Sequence, residues 1–597
     1  MRNQTTKDLT LVLAVAGFCF FLNLGGPHLW DRDETRNAGC AAEMFAAGDW
    51  IVPTFNAELR EHKPALTYWF MMLSYTLFGV TEFAARLPSA IYGLGTVSLT
   101  YFMGSRLFGR SAGLWAAIAL STSLMFGVAS RAATPDAPLI FFTTLAISIY
   151  TFGTTTAVTK NSNESPFVTL FPTRISIVIA MYAAMGMAVL AKGPIGLILP
   201  TAIIGMFLLI KRLPKSETPS SNKQNTLHRV GRILSPFSPM HFLKTCWSMR
   251  PITAIACTLI IALPWYVLVH IKTDGGWTYE FFIKHNLGRA VNSMDGHRGN
   301  FLFYPVSVIV GFFPFSIFWL PALLNGIQQL KTKSKLQDGH LFAFCWVGVY
   351  LALFSLAKTK LPSYVTPCYP GVALMIGVFV SRWSAQEFEL SKLWPRLIYG
   401  SLVVVGIVLM IALPIVAHFY VPEEKLLGLL GLIPFCGGLY ALLAAEKFQI
   451  RKSMIATGCT AVVMSTALFA FAADRVDEHR QLDQFVELIY QGESADRVDV
   501  FSYAETEGSW VFYARQPVEY FDNPQTAAEK LLRNSTGNQT LVLVTSKERM
   551  AELEPFLPVG SITTEEMPYF MEDSNLIIAR PSPHHVQVAS EEEITIH

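Results

Sequence analysis

Charge is what this sequence has least of. Only 15 % of its 597 residues are charged, while 52 % are hydrophobic. A soluble domain carries about 25 % charge. The shortage excludes a disordered chain, and no Gly-X-Y period supports collagen. The eight cysteines are scattered, mostly in apolar runs, with no CxxC pair. Neither a zinc site nor a disulfide framework follows. No GxGxxG or Walker loop is present to cradle a nucleotide, and no nucleic-acid partner is expected. After the polar stretch Met1 to Thr10, the apolar run Leu9 to Gly26 lacks a small-residue cleavage site. It reads as a retained first span, not a cleaved signal peptide.

What is present is length of apolar chain. Fourteen runs approach the roughly 20 residues a spanning helix needs: 9–26, 64–80, 86–105, 112–130, 137–157, 174–191, 193–210, 252–271, 302–324, 340–357, 361–381, 397–419, 426–445 and 454–473. Loop charge decides which of them cross. The segment 211–250 holds eight Lys and Arg against Glu217 alone, so it belongs in the cytoplasm. So do Arg106 with Arg110, Lys331 to Lys335, and Lys447 to Lys452. Fourteen crossings would put 211–250 outside. Removing the short run 64–80, which opens on the interfacial pair Tyr68-Trp69, corrects every loop together. The prediction is thirteen spans, with 64–80 a juxtamembrane helix on the outer face.

Two units follow. Residues 1–473 form the membrane domain, with 27–83 an external loop carrying juxtamembrane helices. Residues 474–597 hold nine basic and 23 acidic residues, net −14, against net +16 in the remainder. This acidic tail falls outside and reads as a small α/β domain. Its expected strands lie at Val498 to Phe501, Val518 to Phe521, Thr540 to Thr545 and Leu576 to Arg580. Helical stretches at 478–491, 525–534 and 546–554 alternate with them. No catalytic pattern stands out there.

The same topology collects charge at external junctions, against the positive-inside bias. The first loop holds Asp31-Arg32-Asp33-Glu34-Thr35-Arg36 and ends in His62-Lys63-Pro64. Further junctions carry Asp136, Lys192, the loop with Lys284, His285, Arg289, Asp295, His297 and Arg298, and Lys358 to Tyr364. Each residue has a plain structural reading. Asp33 caps a helix. Asp136 follows Pro135 at a helix start. Lys63, Lys192 and Lys360 snorkel to the interface. His62, His285 and His297 are solvated or core histidines more readily than metal ligands. Shared placement on one face weakens these readings together. Many cations and few acids at headgroup depth suit a lipid phosphate or pyrophosphate. On 33–45, Asp33, Arg36, Asn37 and Cys40 share one helical face, and Ala38, Ala41, Ala42 and Phe45 the other. Such a helix would lie flat on the membrane and aim Asp33 and Arg36 into a cleft.

Outside the cytoplasm there is no ATP, so an enzyme there needs a substrate activated beforehand. A polyprenyl-phosphate sugar meets that need. A carboxylate takes the proton of the attacking hydroxyl, and fixed cations stabilise the departing phosphate.

The motifs Asp31-Arg-Asp-Glu-Thr-Arg36, Gly48-Asp-Trp-Ile-Val-Pro53, His62-Lys-Pro64 with Tyr68-Trp69, Asp136, Leu190-Ala-Lys-Gly193, Leu263-Pro-Trp265, the 285–298 loop and Ala357-Lys-Thr-Lys-Leu-Pro-Ser-Tyr364 cover about residues 1–380. In that order they resemble the bacterial lipid A aminoarabinose transferases (ArnT) and the wider protein O-mannosyltransferase family of GT-C glycosyltransferases. The resemblance implies a GT-C-type fold with about thirteen transmembrane helices and an external C-terminal domain. It implies inverting transfer from undecaprenyl phosphate to an acceptor hydroxyl or phosphate, such as lipid A or another envelope glycan or protein. Asp33 is then the catalytic carboxylate and Asp136 the supporting acid. Arg36, Lys63, Lys192, Arg289 and Tyr364 surround the donor phosphate, and topology adds Lys360. Glu34, His62 and Arg298 are further cleft candidates. No cofactor is required, and a divalent metal is left open. The expected location is the inner membrane, multi-pass, with the site on the periplasmic side.

Two departures stand out. The aminoarabinose enzymes usually read Arg-Tyr-Ala-Glu where this chain has Arg36-Asn37-Ala38-Gly39, and Glu where it has His62. Both bear on aminoarabinose specificity and on a metal. A transporter or flippase of lipid-linked sugars is the alternative; it would favour inverted repeats and mid-bilayer charge, and neither is evident. An assembly subunit would leave the external Asp and Lys set without a purpose.

Overall fold

The computed structural model describes residues 2–30, 33–156, 165–213, 235–288, 300–332, 334–533, 539–570 and 574–582. Apolar helices dominate because a backbone in lipid must satisfy its own hydrogen bonds. In chain order they begin with α1 (Arg2–Phe21), α2 (Glu34–Ala47), α3 (Leu66–Phe78), α4 (Glu82–Phe108), α5 (Arg110–Ser121) and α6 (Leu124–Arg131). Next come α7 (Asp136–Thr154), α8 (Ile175–Lys192), α9 (Ile195–Lys211), α10 (Pro251–Lys272), α11 (Phe303–Gly311) and α12 (Trp319–Lys331). The bundle ends with α13 (Gln337–Leu356), α14 (Tyr369–Ser384), α15 (Leu393–Tyr420), α16 (Leu432–Glu446) and α17 (Ile450–Thr466).

Each of the thirteen expected spans meets helix. Eight are long and apolar enough to cross a membrane, and ten if each of two bent pairs is one span. The other three expected spans are α1, α4 and α9. The first two are rich in polar side chains, and α9 has 17 residues. The bends are 68° between α5 and α6 and 119° at the break leading into α12. They meet, for the Leu124 N–H donates to the Phe313 carbonyl at 3.1 Å. Backbone groups freed at one break are satisfied at the other.

Small residues let the helices close on one another. A Cβ on Gly113 would stand 2.4 Å from the Tyr101 carbonyl oxygen, and one on Gly377 2.5 Å from that of Ala112. The two ends of the bundle differ. At one, Arg110 pairs with Asp8 and Lys211 with Asp338. At the other, segments 22–30 and 33–63 pack against a C-terminal domain.

That domain carries a five-stranded sheet in the order β4-β3-β5-β7-β6. Its strands are β3 (Val498–Tyr503), β4 (Glu519–Phe521), β5 (Thr540–Ser546), β6 (Ile562–Pro568) and β7 (Asn575–Pro581); β1 (Thr54–Phe55) and β2 (Glu58–Leu59) form a hairpin in the first loop. Strands β4, β3 and β5 run parallel, and β7 is antiparallel to β5. The four expected strands are present. Strand β6 was not expected, because its polar run carries little apolar alternation, nor was the short helix α18 (Gly508–Ala514).

Helix α2 is covered on more than one side. It is sandwiched between α3 and the C-terminal domain, with Asn37 and Cys40 buried. Phe512 of α18 joins the apolar cluster of Ala38, Ala41 and Tyr75. Asn56 exchanges two hydrogen bonds with the Val518 backbone at 2.9 and 2.7 Å.

The tight crossing at Gly113 yields a prediction. Gly113→Val is expected to abolish the monodisperse peak in size-exclusion chromatography of detergent-solubilised protein. Gly17→Val, where a Cβ meets nothing within 4 Å, is expected to leave it intact.

Candidate active site

The site is built outward from Glu34. Its carboxylate accepts from Arg86 Nε at 2.9 Å and Nη2 at 2.8 Å, from the Trp30 N–H at 3.0 Å and from the Ala133 N–H at 2.7 Å. Burial pushes this carboxyl upward. The Arg86 charge and the four hydrogen bonds outweigh it and hold Glu34 below the usual carboxylate range. Its acceptor capacity is filled, so Glu34, though it lines a groove, acts as a structural clasp. The clasp joins the chain leaving α1, the start of α2, helix α4 and the loop before α7.

Asp33 immediately precedes the clasp. It occupies the N-cap position of α2 but makes no side-chain capping bond, which removes the cap reading. It is solvent-exposed. Its charge reaches both Arg60 and Lys192. Arg36, one turn on, is exposed, and its stem lies against Gly508 of α18.

Asp136 opens α7 and Lys192 closes α8. The two form an ion pair, each about 15 % exposed. The Lys192 ammonium sits 5.6 Å from the Tyr364 ring centroid. Asp33, Asp136, Lys192 and Tyr364, drawn from four separate segments, therefore converge.

The strap 60–65 forms another wall. Trp277, fully buried, donates its indole N–H to the Arg60 carbonyl at 3.0 Å and fixes the strap before the half-buried Lys63. The His62 and His285 rings lie 4.1 Å apart, and His285 faces Glu61 at 3.8 Å. Ligand atoms of Glu61, His62 and His285 fall within 4.8 Å of one another. One carboxylate and two imidazoles suit zinc or another borderline divalent cation.

Lys360 is a correction. Its ammonium donates to the carbonyls of Phe354, Ser355 and Ala357 at 3.4, 3.0 and 3.2 Å. All three N–H groups thus serve the C-terminus of α13, where a cation complements the helix dipole. It is a helix cap and not a phosphate ligand. Arg289 and Arg298 lie outside the described residues.

Arg60 and Glu61 were missed, although the charged run Arg60 to Lys63 before Pro64 marked them. Gly39 stands where the aminoarabinose enzymes have glutamate. A Cβ there would meet the Phe55 ring at 2.6 Å, so an aromatic ring fills the space.

A bundle of bent apolar helices with a C-terminal α/β domain at one end is the GT-C glycosyltransferase fold. A family profile described as dolichyl-phosphate-mannose-protein mannosyltransferase matches residues 62–240. An uncharacterized protein of Aquifex aeolicus is 29 % identical over 74 % of this chain and 76 % of its own length. The undecaprenyl phosphate-alpha-4-amino-4-deoxy-L-arabinose arabinosyl transferase of Pectobacterium atrosepticum is 27 % identical over 75 % of this chain and 73 % of its own. The crystal structure of ArnT from Cupriavidus metallidurans bound to undecaprenyl phosphate superposes with a TM-score of 0.71 at 21 % identity, covering 96 % of this chain and 97 % of that one. The chain is similar in sequence to the ArnT-type transferases and shares the GT-C fold of ArnT.

Removing one partner of a buried ion pair costs on the order of 3–5 kcal/mol. Arg86→Met is therefore expected to lower the thermal midpoint strongly and to abolish activity by releasing α2. Because the Glu34 pKa is depressed in the fold, the clasp is at full strength above the ordinary glutamate pKa of about 4.3. It weakens as pH falls through the lower folded value. A midpoint that falls with acid in the wild type, but changes less in Arg86→Met, is the expected result.

Proposed function

We propose that this protein transfers a sugar, with inversion, from a polyprenyl phosphate such as undecaprenyl phosphate to a membrane lipid on the periplasmic side of the inner membrane. The observation carrying this reading is the convergence of Asp33 with the buried Asp136–Lys192 pair at one end of the bundle. The acceptor oxygen attacks the anomeric carbon while the bond from that carbon to the phosphate oxygen breaks. Asp33 takes the hydroxyl proton. Lys192, Lys63 and Arg36 stabilise the charge that grows on the departing polyprenyl phosphate. Asp136 fixes Lys192 in place. A phosphate leaving group needs no further activation, so no cofactor is required. A divalent cation held by Glu61, His62 and His285 would add positive charge beside Lys63.

Two apolar grooves support a lipid on each side. One of about 580 Å³ is lined by Trp50, Trp69, Leu190, Trp265 and Leu268, beside the strap, and suits the polyprenyl chain. The larger, about 1050 Å³, is lined by Trp30, Val128, Ile309, Leu409 and Phe469 and has Glu34 and Arg86 in its wall. It reaches the site from another direction, and its apolar lining suits the chains of a lipid acceptor.

The test is turnover of purified protein in nanodiscs with synthetic undecaprenyl-phosphate sugars and envelope lipid. Asp33→Asn is expected to lose about 10²- to 10⁴-fold, the usual worth of a general base. Lys192→Ala is expected to lose roughly 30- to 1000-fold in turnover, with a smaller change in donor affinity, matching about 2–4 kcal/mol for one transition-state contact. Lys192→Arg should recover only part, because its planar fork differs from a point charge. Wild-type turnover in Asp33→Asn and Lys192→Ala would refute the assignment.

A further inference from the structure

Five arginines are buried among the described residues. Four are held by a carboxylate or by backbone carbonyls. Arg86 holds Glu34. Arg131 donates to the carbonyls of Cys19, Phe20, Leu22 and Asn23 at the end of α1. Arg480 pairs with Asp477, and Arg580 donates to the backbone at Leu488 and Ile489.

Arg60 differs. It is 8 % exposed, yet among the described residues no carboxylate lies within ion-pair reach of it. Its two hydrogen bonds go to neutral groups, Nε to the Tyr68 hydroxyl at 3.3 Å and Nη2 to Asn37 Oδ1 at 3.1 Å. The guanidinium also stands over the Phe55 ring, 5.8 Å from its centroid, and the charge that reaches it is that of Asp33. Burying a guanidinium with no carboxylate in contact is costly, so a fold that retains one has a use for it. Placement supplies the use. Asn37 also donates to the Ala133 carbonyl at 3.2 Å, which ties the fork to the turn of α2 that follows Asp33. The Arg60 backbone is held by Trp277 in the strap that ends at Lys63. The guanidinium is thus rigid, partly desolvated and next to the reacting centre. A guanidinium fork of this kind matches a carboxylate or phosphate in two-toothed fashion.

We propose that Arg60 receives a second oxyanion, distinct from the leaving phosphate, on the transferred sugar or on the acceptor headgroup. The inference rests on the glycosyltransferase reading above and narrows its substrate class. One substrate bears a carboxylate or phosphate near the reacting atoms, whereas a sugar presenting an ammonium group there meets a fixed positive charge.

The test uses full-length protein in nanodiscs, first titrated with undecaprenyl phosphate and then, once saturated, with small probes read by thermal shift. Glucuronate reports an anion on the sugar, and glycerol 1-phosphate one on the acceptor headgroup; glucose and glucosamine are the neutral and cationic controls. The expected result is stabilisation by glucuronate or by glycerol 1-phosphate and none by the controls, and the anion that responds names the source. Arg60→Gln is expected to weaken that response roughly ten- to a hundredfold, as for one charge-assisted contact, with undecaprenyl-phosphate affinity unchanged. Arg60→Lys, which keeps a charge in the fold, is expected to retain part of it. Equal response to glucose and the anions in wild type, or a wild-type response in Arg60→Gln and Arg60→Lys, would overturn the proposal. Failure of the wild type to bind undecaprenyl phosphate would instead refute the glycosyltransferase reading.

Discussion

The carboxylate of Glu34 is the joint on which the site turns. Four donors from three other parts of the chain converge on it: the Trp30 N–H beyond α1, two nitrogens of Arg86 in α4, and the Ala133 N–H before α7. Without such a joint, the first turn of α2 would be an exposed helix end beside a greasy bundle. With it, Asp33 and Asp136, which are 103 residues apart in sequence, belong to a single rigid frame. A buried pair of this kind adds little to stability over an apolar substitute, but it specifies one arrangement and is costly to break. Positioning a base against a reacting carbon needs that specificity more than it needs stability.

Charge at this end of the molecule sorts by what answers it. Arg86, Arg131 and Lys360 are saturated by a carboxylate or by helix-end carbonyls and hold the frame together. Lys192 is shared between Asp136 and the field of Asp33. Arg60 is hydrogen-bonded only to neutral groups and feels Asp33 from beyond contact distance. The gradient from saturated to unanswered runs from scaffold to site. In a weakly polarisable setting, groups left unanswered act most strongly on an incoming substrate.

Much of this was legible in the sequence because a membrane imposes simple arithmetic. Apolar runs of spanning length, parity and basic loops give every expected span a helix and gather Asp33, Asp136 and Lys192 at one end. Pairing is what spacing alone could not supply. Glu34 and Lys360 look like cleft residues by position, and only three-dimensional contacts reveal that their hydrogen-bonding capacity is used up. The packing of α2 was hidden for a related reason, since its apolar side is covered by partners such as Phe512 that lie more than 400 residues away in sequence. Arg60 escaped notice because nothing local shows that a cation in a charged run is buried. Strand β6 escaped because an edge strand with a polar face lacks the alternation that signals burial.

The central claim is a single displacement in which Asp33 serves as base and never as nucleophile. The anomeric configuration of the product tests it most directly. With a purified synthetic undecaprenyl-phosphate sugar of known configuration, proton NMR of the first product formed should show the opposite configuration at the anomeric carbon. Retention of configuration would require two displacements and a covalent glycosyl-enzyme, and would contradict the account.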